Sequence, residues 1–255
     1  MSDHLADFQK LIDVLESLLA PGGCEWDRKQ THQSLVPYLL EETHEVIEAI
    51  EKGDMHSLKE ELGDLMLHVL FQAKLAEIEG HFNISDSLKE ISQKLIRRHP
   101  QVFNDEKEGS DNNLSWEQAK KKEKKRDSVL DGVPLSLPTL TRARRIQEKA
   151  SSVGFDWKEI KPIWNKVHEE ISELSEAITL EQKDKIQDEM GDVLFSVVNL
   201  ARFLDIDPEA SLRQTIRKFE LRFKKVEKSF ENSEQMSKAS LDQMDKIWNQ
   251  AKEEE

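Results

Sequence analysis

The segment EETHEVIEAIEKGDMHSLKEELGD, residues 41–64, decides the fold. Its apolar residues recur at intervals of three and four, the period of an amphipathic helix, and Gly53-Asp54 interrupts that pattern. Two consecutive helices are therefore predicted. Acidic side chains stand in or beside the apolar stripe of both helices, at Glu42, Glu45, Glu61 and Asp64. Like charges at helical neighbour spacing repel each other, so this crowding needs a chemical reason.

The same pattern returns 128 residues later, without a gap. Residues 41–78 align with residues 169–206, and about a third of the positions are identical, including all four acids. Such a repeat is typical of a duplicated module. The predicted fold class is all-α, with two tandem repeats of one helical-bundle module. The first module is expected at 1–130, a linker at 131–138 and the second module at 139–255.

Helical periodicity extends along most of the chain. Helices are predicted at about 5–19, 35–51, 57–79, 85–98, 139–152, 159–179, 181–204, 208–230 and 236–252. The polar segment 24–33 and residues 100–114 are predicted to be loops, and a short helix with a basic end is predicted at 114–128.

The composition limits the function classes. The 255 residues carry a formal net charge of -14, which argues against non-specific binding to nucleic acid or membrane surfaces. No segment is apolar enough to be predicted as a membrane span. Cys24 is the only cysteine, so a disulfide within the chain and a Cys-based zinc site are excluded. A cytoplasmic location is expected.

The acids at core-facing positions indicate a cation. A buried carboxylate without a partner is costly, so it must be protonated, paired with Lys or Arg, or bound to a metal. One such pair of acids on a helix is most often a solvated face. Two pairs that interrupt an apolar stripe and recur at identical spacing favour a metal site, and oxygen ligands suit a hard cation, Mg²⁺ with Mn²⁺ as a substitute.

At these residues the chain resembles a known family. EExxE followed by ExxD, seen as EETHE and ELGD and again as EEISE and EMGD, resembles the MazG family of all-α nucleoside triphosphate pyrophosphohydrolases. The segments PGGCEWDRKQTHQSL (21–35) and RRHPQVF (97–103) and the tandem arrangement match the two-module form of that family.

The resemblance implies a set of site residues. Four acids per module would bind Mg²⁺: Glu170, Glu173, Glu189 and Asp192 in the second module, and Glu42, Glu45, Glu61 and Asp64 in the first. The implied nucleotide contacts of the second module are Lys166, Glu170, Lys218, Arg222, Trp248 and Lys252. Those of the first module are Lys94, Arg98, Trp116 and Lys120. Glu169 and Glu173 are alternative candidates for the general base.

The implied function is Mg²⁺-dependent hydrolysis of NTPs and dNTPs at the α–β bond, giving a nucleoside monophosphate and pyrophosphate with low base specificity. A homodimer is also implied. An alternative from another class is a non-catalytic helical regulator that senses nucleotide or binds a protein. Either module, or both, could carry the chemistry; Lys166, one turn before Glu170, slightly favours the second.

Overall fold

The computed structural model describes residues 4–103 and 127–253. Every regular element in these two ranges is an α-helix, which confirms the predicted all-α class. The chain divides into two compact units, which we call unit 1 (1–112) and unit 2 (113–255). The predicted module boundary near 131–138 stays a prediction.

Unit 1 contains six described helices: α1 (His4–Leu19), α2 (Glu25–Arg28), α3 (Val36–Lys52), α4 (Met55–Ile78), α5 (Ile84–Arg98) and α6 (Pro100–Phe103). Its centre is the pair of helices α3 and α4. Gly53 ends α3 in the left-handed conformation, with φ 68°, and Asp54 caps α4 by accepting hydrogen bonds from the His56 and Ser57 amides. This short connection brings the two acidic pairs next to each other.

The core of unit 1 lies between α1, α4 and the residue that precedes α3. Leu15, Leu35, Leu70 and Phe71 are buried together there. Each of these side chains exposes 3% or less of its surface. Other residues of unit 1 therefore cover them.

Unit 2 contains the helices α7 (Thr139–Ser151), α8 (Ile160–Thr179), α9 (Lys183–Phe203), α10 (Pro208–Lys228), α11 (Ser233–Lys238) and α12 (Leu241–Glu253). The helices α8 and α9 repeat the α3–α4 pair, α7 packs on α9 and α10, and α12 packs on α10. Ile163, Val167 and Val198 are buried between these helices.

The structure corrects three of the predicted elements. The predicted loop 24–33 contains the short helix α2, and Pro100–Phe103 forms α6 where a loop was expected. The predicted helix 236–252 is two helices, because Ala239 adopts an extended conformation and ends α11. The predicted helix at 114–128 and the loop after residue 103 fall almost entirely outside the described residues.

One further property follows from helix length and composition. No described helix is both long enough and apolar enough to cross a lipid bilayer.

Candidate functional site

Each unit brings three of its predicted acids together. In unit 2, carboxylate oxygens of Glu170, Glu173 and Glu189 all lie within 4.8 Å of one another, and in unit 1 the same holds for Glu42, Glu45 and Glu61. The first two acids of each group come from α8 or α3, and the third from α9 or α4. We call these groups the unit 2 centre and the unit 1 centre.

The fourth predicted acid lies close to each centre. Burial raises the pKa of both Glu42 and Glu61, and the negative charge of Asp64 raises it further. In unit 2, Asp192 lines the same cavity as Glu170. The ExxD spacing therefore directs both acids of α4, and both of α9, to the neighbourhood of one centre.

The unit 2 centre is the more buried of the two. Glu170 exposes 6% and Glu189 9% of their surface, whereas Glu42 and Glu61 are half-buried and Glu45 is exposed. Burial, together with the charges of Glu189 and Glu170, raises the pKa of the Glu173 carboxyl above its ordinary value. Negative charge at this centre is thus costly without a cation.

Lysine supplies part of the missing positive charge in unit 2. Lys166 Nζ lies 2.7 Å from Oε1 of Glu169 and 2.7 Å from Oε1 of Glu170. These two bonds raise the pKa of the Lys166 ammonium further above its ordinary value. Lys185 Nζ lies farther away, 3.9 Å from Oε1 of Glu189.

The unit 1 centre differs in this respect. The position that corresponds to Lys166 is Tyr38, whose ring meets Trp26 edge to face. Among the described residues, no lysine or arginine forms an ion pair with the three acids of this centre. Burial, with the charges of the neighbouring acids, raises the pKa of Glu42 and of Glu61.

A large cavity opens beside the unit 2 centre. Its volume is about 820 Å³, and Lys166, Glu170 and Asp192 form part of its wall. Much of the remaining wall is apolar or aromatic, including Phe155, Trp157 and Phe195. A cavity of this size that joins apolar walls to a few charged groups is typical of a small-molecule site.

Two wall positions of this cavity carry bulkier side chains in unit 1. Asn199 and Ser196 line the cavity in unit 2, and the residues at these positions of unit 1 are the buried Phe71 and His68. A small cavity of about 30 Å³ does occur in unit 1, beside Leu15 and Leu70, and it touches none of the four acids. The two units therefore share the carboxylates but differ in the space next to them.

The remaining predicted nucleotide contacts lie elsewhere in unit 2. Lys218 and Arg222 are one turn apart on α10, and the Arg222 guanidinium lies 5.6 Å from the centre of the Trp248 ring on α12. Phe219 also contacts that ring, at 5.0 Å between centroids. These three predicted contacts thus lie together, but they do not line the cavity, and Lys252 is exposed farther along α12.

Two of the four predicted nucleotide contacts of unit 1 lie within the described residues. Lys94 and Arg98 are half-buried and one turn apart on α5. Trp116 and Lys120 lie outside the described residues. The assignment of all these side chains to nucleotide binding stays a prediction.

The sequence patterns missed several polar residues of the cavity. Arg202 forms a bidentate pair with Asp156, with Nη2–Oδ1 2.6 Å and Nη1–Oδ2 2.9 Å, and both residues line the cavity together with Gln147 and Asn199. The signal that could have found two of them is the difference between the repeats: Asn199 and Arg202 stand where the first repeat has Phe71 and Lys74.

Comparison with known proteins identifies the family. The model of the MazG nucleotide pyrophosphohydrolase domain matches residues 30–103 and again residues 159–227, which together are more than half of the chain. The chain belongs to the MazG family. Each matched range contains one set of the four predicted acids, and the expected resemblance and the tandem organisation of the fold are confirmed by the two matches.

Full-length relatives support this assignment. A nucleoside triphosphate pyrophosphohydrolase/pyrophosphatase MazG of Thermotoga maritima is 46% identical over 248 residues, covering 96% of this chain and 95% of that protein. A nucleoside triphosphate pyrophosphohydrolase of Escherichia coli K12 is 42% identical over 256 residues, covering 96% and 97%. The uncharacterized protein YabN of Bacillus subtilis is 44% identical over 98% of this chain, which spans 52% of that protein.

Proposed function

We propose that this protein hydrolyses nucleoside triphosphates, both NTPs and dNTPs, at the α–β bond to a nucleoside monophosphate and pyrophosphate. The observation that carries the proposal is the contact of the unit 2 centre and Lys166 with a cavity of about 820 Å³. The names of the relatives from Thermotoga maritima and Escherichia coli support the same activity. We place it in the cytoplasm, in keeping with the single cysteine, Cys24.

The donor set of unit 2 fits Mg²⁺, with Mn²⁺ as a substitute. Three carboxylates within 4.8 Å of one another, with Asp192 on the adjoining wall, offer only hard oxygen donors. Burial and the charges of neighbouring acids raise the pKa of Glu173. A bound divalent cation would offset the cost of ionising this carboxyl. When bound, the ion supplies Lewis-acid polarisation of the phosphate and neutralises charge on the leaving group.

The protein's own side chains supply the rest. Lys166 carries a fixed positive charge at the edge of the cavity and holds Glu169 and Glu170 in place. It is placed to contact a triphosphate oxygen there. Glu169 and Glu173 remain the two candidates for accepting the proton of the attacking water. Glu173 belongs to the unit 2 centre, whereas Lys166 engages Glu169 outside that group of three.

The cavity suits the nucleoside part of the substrate. Trp157, Phe155 and Phe195 present apolar and aromatic surface, on which any of the common bases can pack. The polar wall at Lys166, Glu170 and Asp192 would then face the phosphates. Packing of this kind discriminates weakly between bases, which is the reason to expect low base specificity.

A homodimer is part of the proposal. Three apolar side chains of α9, Met190, Leu194 and Val197, form a stripe at helical spacing and expose 45–53% of their surface. The corresponding residues of α4, Leu62, Met66 and Val69, are also 42–49% exposed. The same stripe left uncovered in both repeats fits a surface that packs against a second copy.

Product analysis tests the proposed reaction. The protein is incubated with each of the common NTPs and dNTPs and with Mg²⁺, and the nucleotide and phosphate products are separated by ion-exchange chromatography; a parallel set contains a chelator in excess. Nucleoside monophosphate and pyrophosphate, formed only with the metal, are expected. Nucleoside diphosphate and orthophosphate would contradict the α–β assignment, and binding without any product would place the protein among nucleotide-sensing regulators.

A further inference from the structure

Two amide side chains line the cavity of unit 2, and the protein fixes the orientation of both. Gln147, on α7, donates from Nε2 to the backbone carbonyl of Phe195, at 2.9 Å. A carbonyl only accepts hydrogen bonds, so the amide cannot be reversed without losing this contact. The Gln147 oxygen Oε1 therefore points away from the Phe195 carbonyl.

Asn199 is held through its side-chain oxygen, whereas Gln147 is held through its nitrogen. Its Oδ1 accepts two hydrogen bonds from Arg202, 3.0 Å from Nε and 2.9 Å from Nη2. Arginine only donates, so the Asn199 oxygen must face Arg202 and the amide nitrogen must face elsewhere. Arg202 is itself fixed by its bidentate pair with Asp156, which makes this orientation rigid.

Each amide is left with one unused group. Gln147 exposes 8% of its surface, and its buried Oε1 has no hydrogen-bond partner in the described part of the chain. Asn199 Nδ2 likewise forms no hydrogen bond to any described residue. A buried acceptor without a partner lowers stability and calls for an explanation. Both residues line the same cavity.

Both amides are tied to the same helix, α9. The Gln147 amide reaches the backbone of α9 at Phe195, one helical turn before Asn199. The edge of a nucleobase offers the complementary pair, an N–H group next to an unprotonated ring nitrogen or an exocyclic oxygen. All the common bases carry such a pair, so this recognition is compatible with a broad substrate range.

We propose that Gln147 Oε1 and Asn199 Nδ2 bind the hydrogen-bonding edge of the substrate base, and that Arg202 and Asp156 are positioning residues for Asn199. The inference rests on the proposed hydrolysis of nucleoside triphosphates and adds the residues that recognise the base. For adenine, Gln147 accepts from the exocyclic N6–H group and Asn199 donates to N1.

The test compares three triphosphates that differ by one group at the base edge. ATP carries both groups, purine riboside triphosphate lacks the N6 amino group, and 1-deaza-ATP lacks N1. We measure kcat/KM for pyrophosphate release with the wild type, Gln147→Leu and Asn199→Ala. Gln214→Leu, at an exposed position of α10 away from the cavity, is the matched control and should behave as the wild type.

We expect each variant to lose its preference for ATP over one analogue and to keep its preference over the other. The wild type prefers ATP over each analogue by about tenfold, the effect of one hydrogen bond in a site built to make it. Gln147→Leu loses the preference over purine riboside triphosphate and keeps the preference over 1-deaza-ATP. Asn199→Ala shows the reverse. A purely structural role would instead lower kcat/KM for all three substrates by one common factor.

Two results would overturn the inference: an equal loss on all three nucleotides in both variants, or variants that treat the three nucleotides as the wild type does. If the wild type releases no pyrophosphate from any of them, the proposed hydrolysis is wrong. Dissociation constants for the same three nucleotides, measured by calorimetry, then decide base recognition by the same crossed pattern.

Discussion

Lys166 Nζ lies 2.7 Å from Oε1 of Glu170, one helical turn farther along α8. The equivalent position before Glu42 is Tyr38, so the two repeats present the same carboxylates in different electrostatic settings. The unit with the lysine is also the one in which a large cavity adjoins the acids. Charge compensation and space for a nucleotide thus occur together in unit 2, which is the reason for placing the chemistry there.

Replacing Lys166 by Met should lower kcat/KM for pyrophosphate release by about 10- to 100-fold, because a charged contact to the triphosphate is lost. The helix should remain, since Met is a good helix former. Tyr38→Phe is the matched control in unit 1 and should leave kcat/KM unchanged. A Lys166→Met variant that works within twofold of the wild type would remove this side chain from the site.

Metal binding should stabilise the protein in a pH-dependent way. Folding raises the pKa of Glu42, Glu61 and Glu173, so their contribution to stability is present below the unfolded-state pKa and is lost as pH rises through the folded-state pKa. Mg²⁺ offsets that loss only where the carboxylates are ionised. The increase in Tm on adding Mg²⁺ should therefore be larger at pH 8 than at pH 5, relative to NaCl of equal ionic strength. Equal increases at both pH values would argue against these acids as ligands.

The Asp156–Arg202 pair should stabilise unit 2 at neutral pH. Hydrogen bonds from Arg202 hold the pKa of Asp156 below its ordinary value, so the contribution is present above the unfolded-state pKa and disappears as pH falls through the folded-state value. Asp156→Asn should lower the free energy of unfolding by about 1–3 kcal/mol at pH 7, measured by urea denaturation. The difference from the wild type should shrink toward pH 3.

The control for this pair is Asp205→Asn. Asp205 also faces an arginine, Arg144, at 3.4 Å, but its side chain is 98% exposed. An exposed ion pair of this kind contributes little, so this variant should unfold as the wild type does. A similar loss in both variants would mean that the cavity location of Asp156 has no special effect.

The exposed stripe on α9 should control assembly. The wild type is expected to sediment at about 59 kDa, twice the 29.6 kDa of the chain. Leu194→Glu/Val197→Glu places two charges in the stripe and should shift the protein to monomer in sedimentation velocity. Leu241→Glu changes a leucine that is 80% exposed outside the stripe and should stay dimeric. A monomeric wild type would refute the homodimer.

The repeat made the centres predictable from sequence. Helical period and identical spacing placed Glu42, Glu45 and Glu61 on two adjacent helices, and their second-repeat counterparts likewise, because residues three or four apart share a helix face. The structure brings both groups of three together. Gly53 and Asp54 were recognisable as the connection because each has a local role in ending or starting a helix.

The cavity was not predictable in the same way. Its wall combines residues from the segment around Val129, from α7 and the turn after it, and from α8 and α9, and no local pattern links Asp156 to Arg202, 46 positions away. The short helices α2 and α6 were missed because four residues are too few to show a period. The break at Ala239 was missed because the surrounding residues fit a helix equally well on local grounds.

The most direct test of the central claim compares two double variants with the wild type in pyrophosphate release from NTPs and dNTPs with Mg²⁺. Glu170→Gln/Glu173→Gln removes two carboxylates of the unit 2 centre, and Glu42→Gln/Glu45→Gln removes their counterparts in unit 1. Circular dichroism of both variants is the check that they remain helical. We predict that turnover falls by orders of magnitude in the first variant and persists in the second. Turnover that persists in the first variant and is lost in the second would contradict the assignment of the chemistry to unit 2.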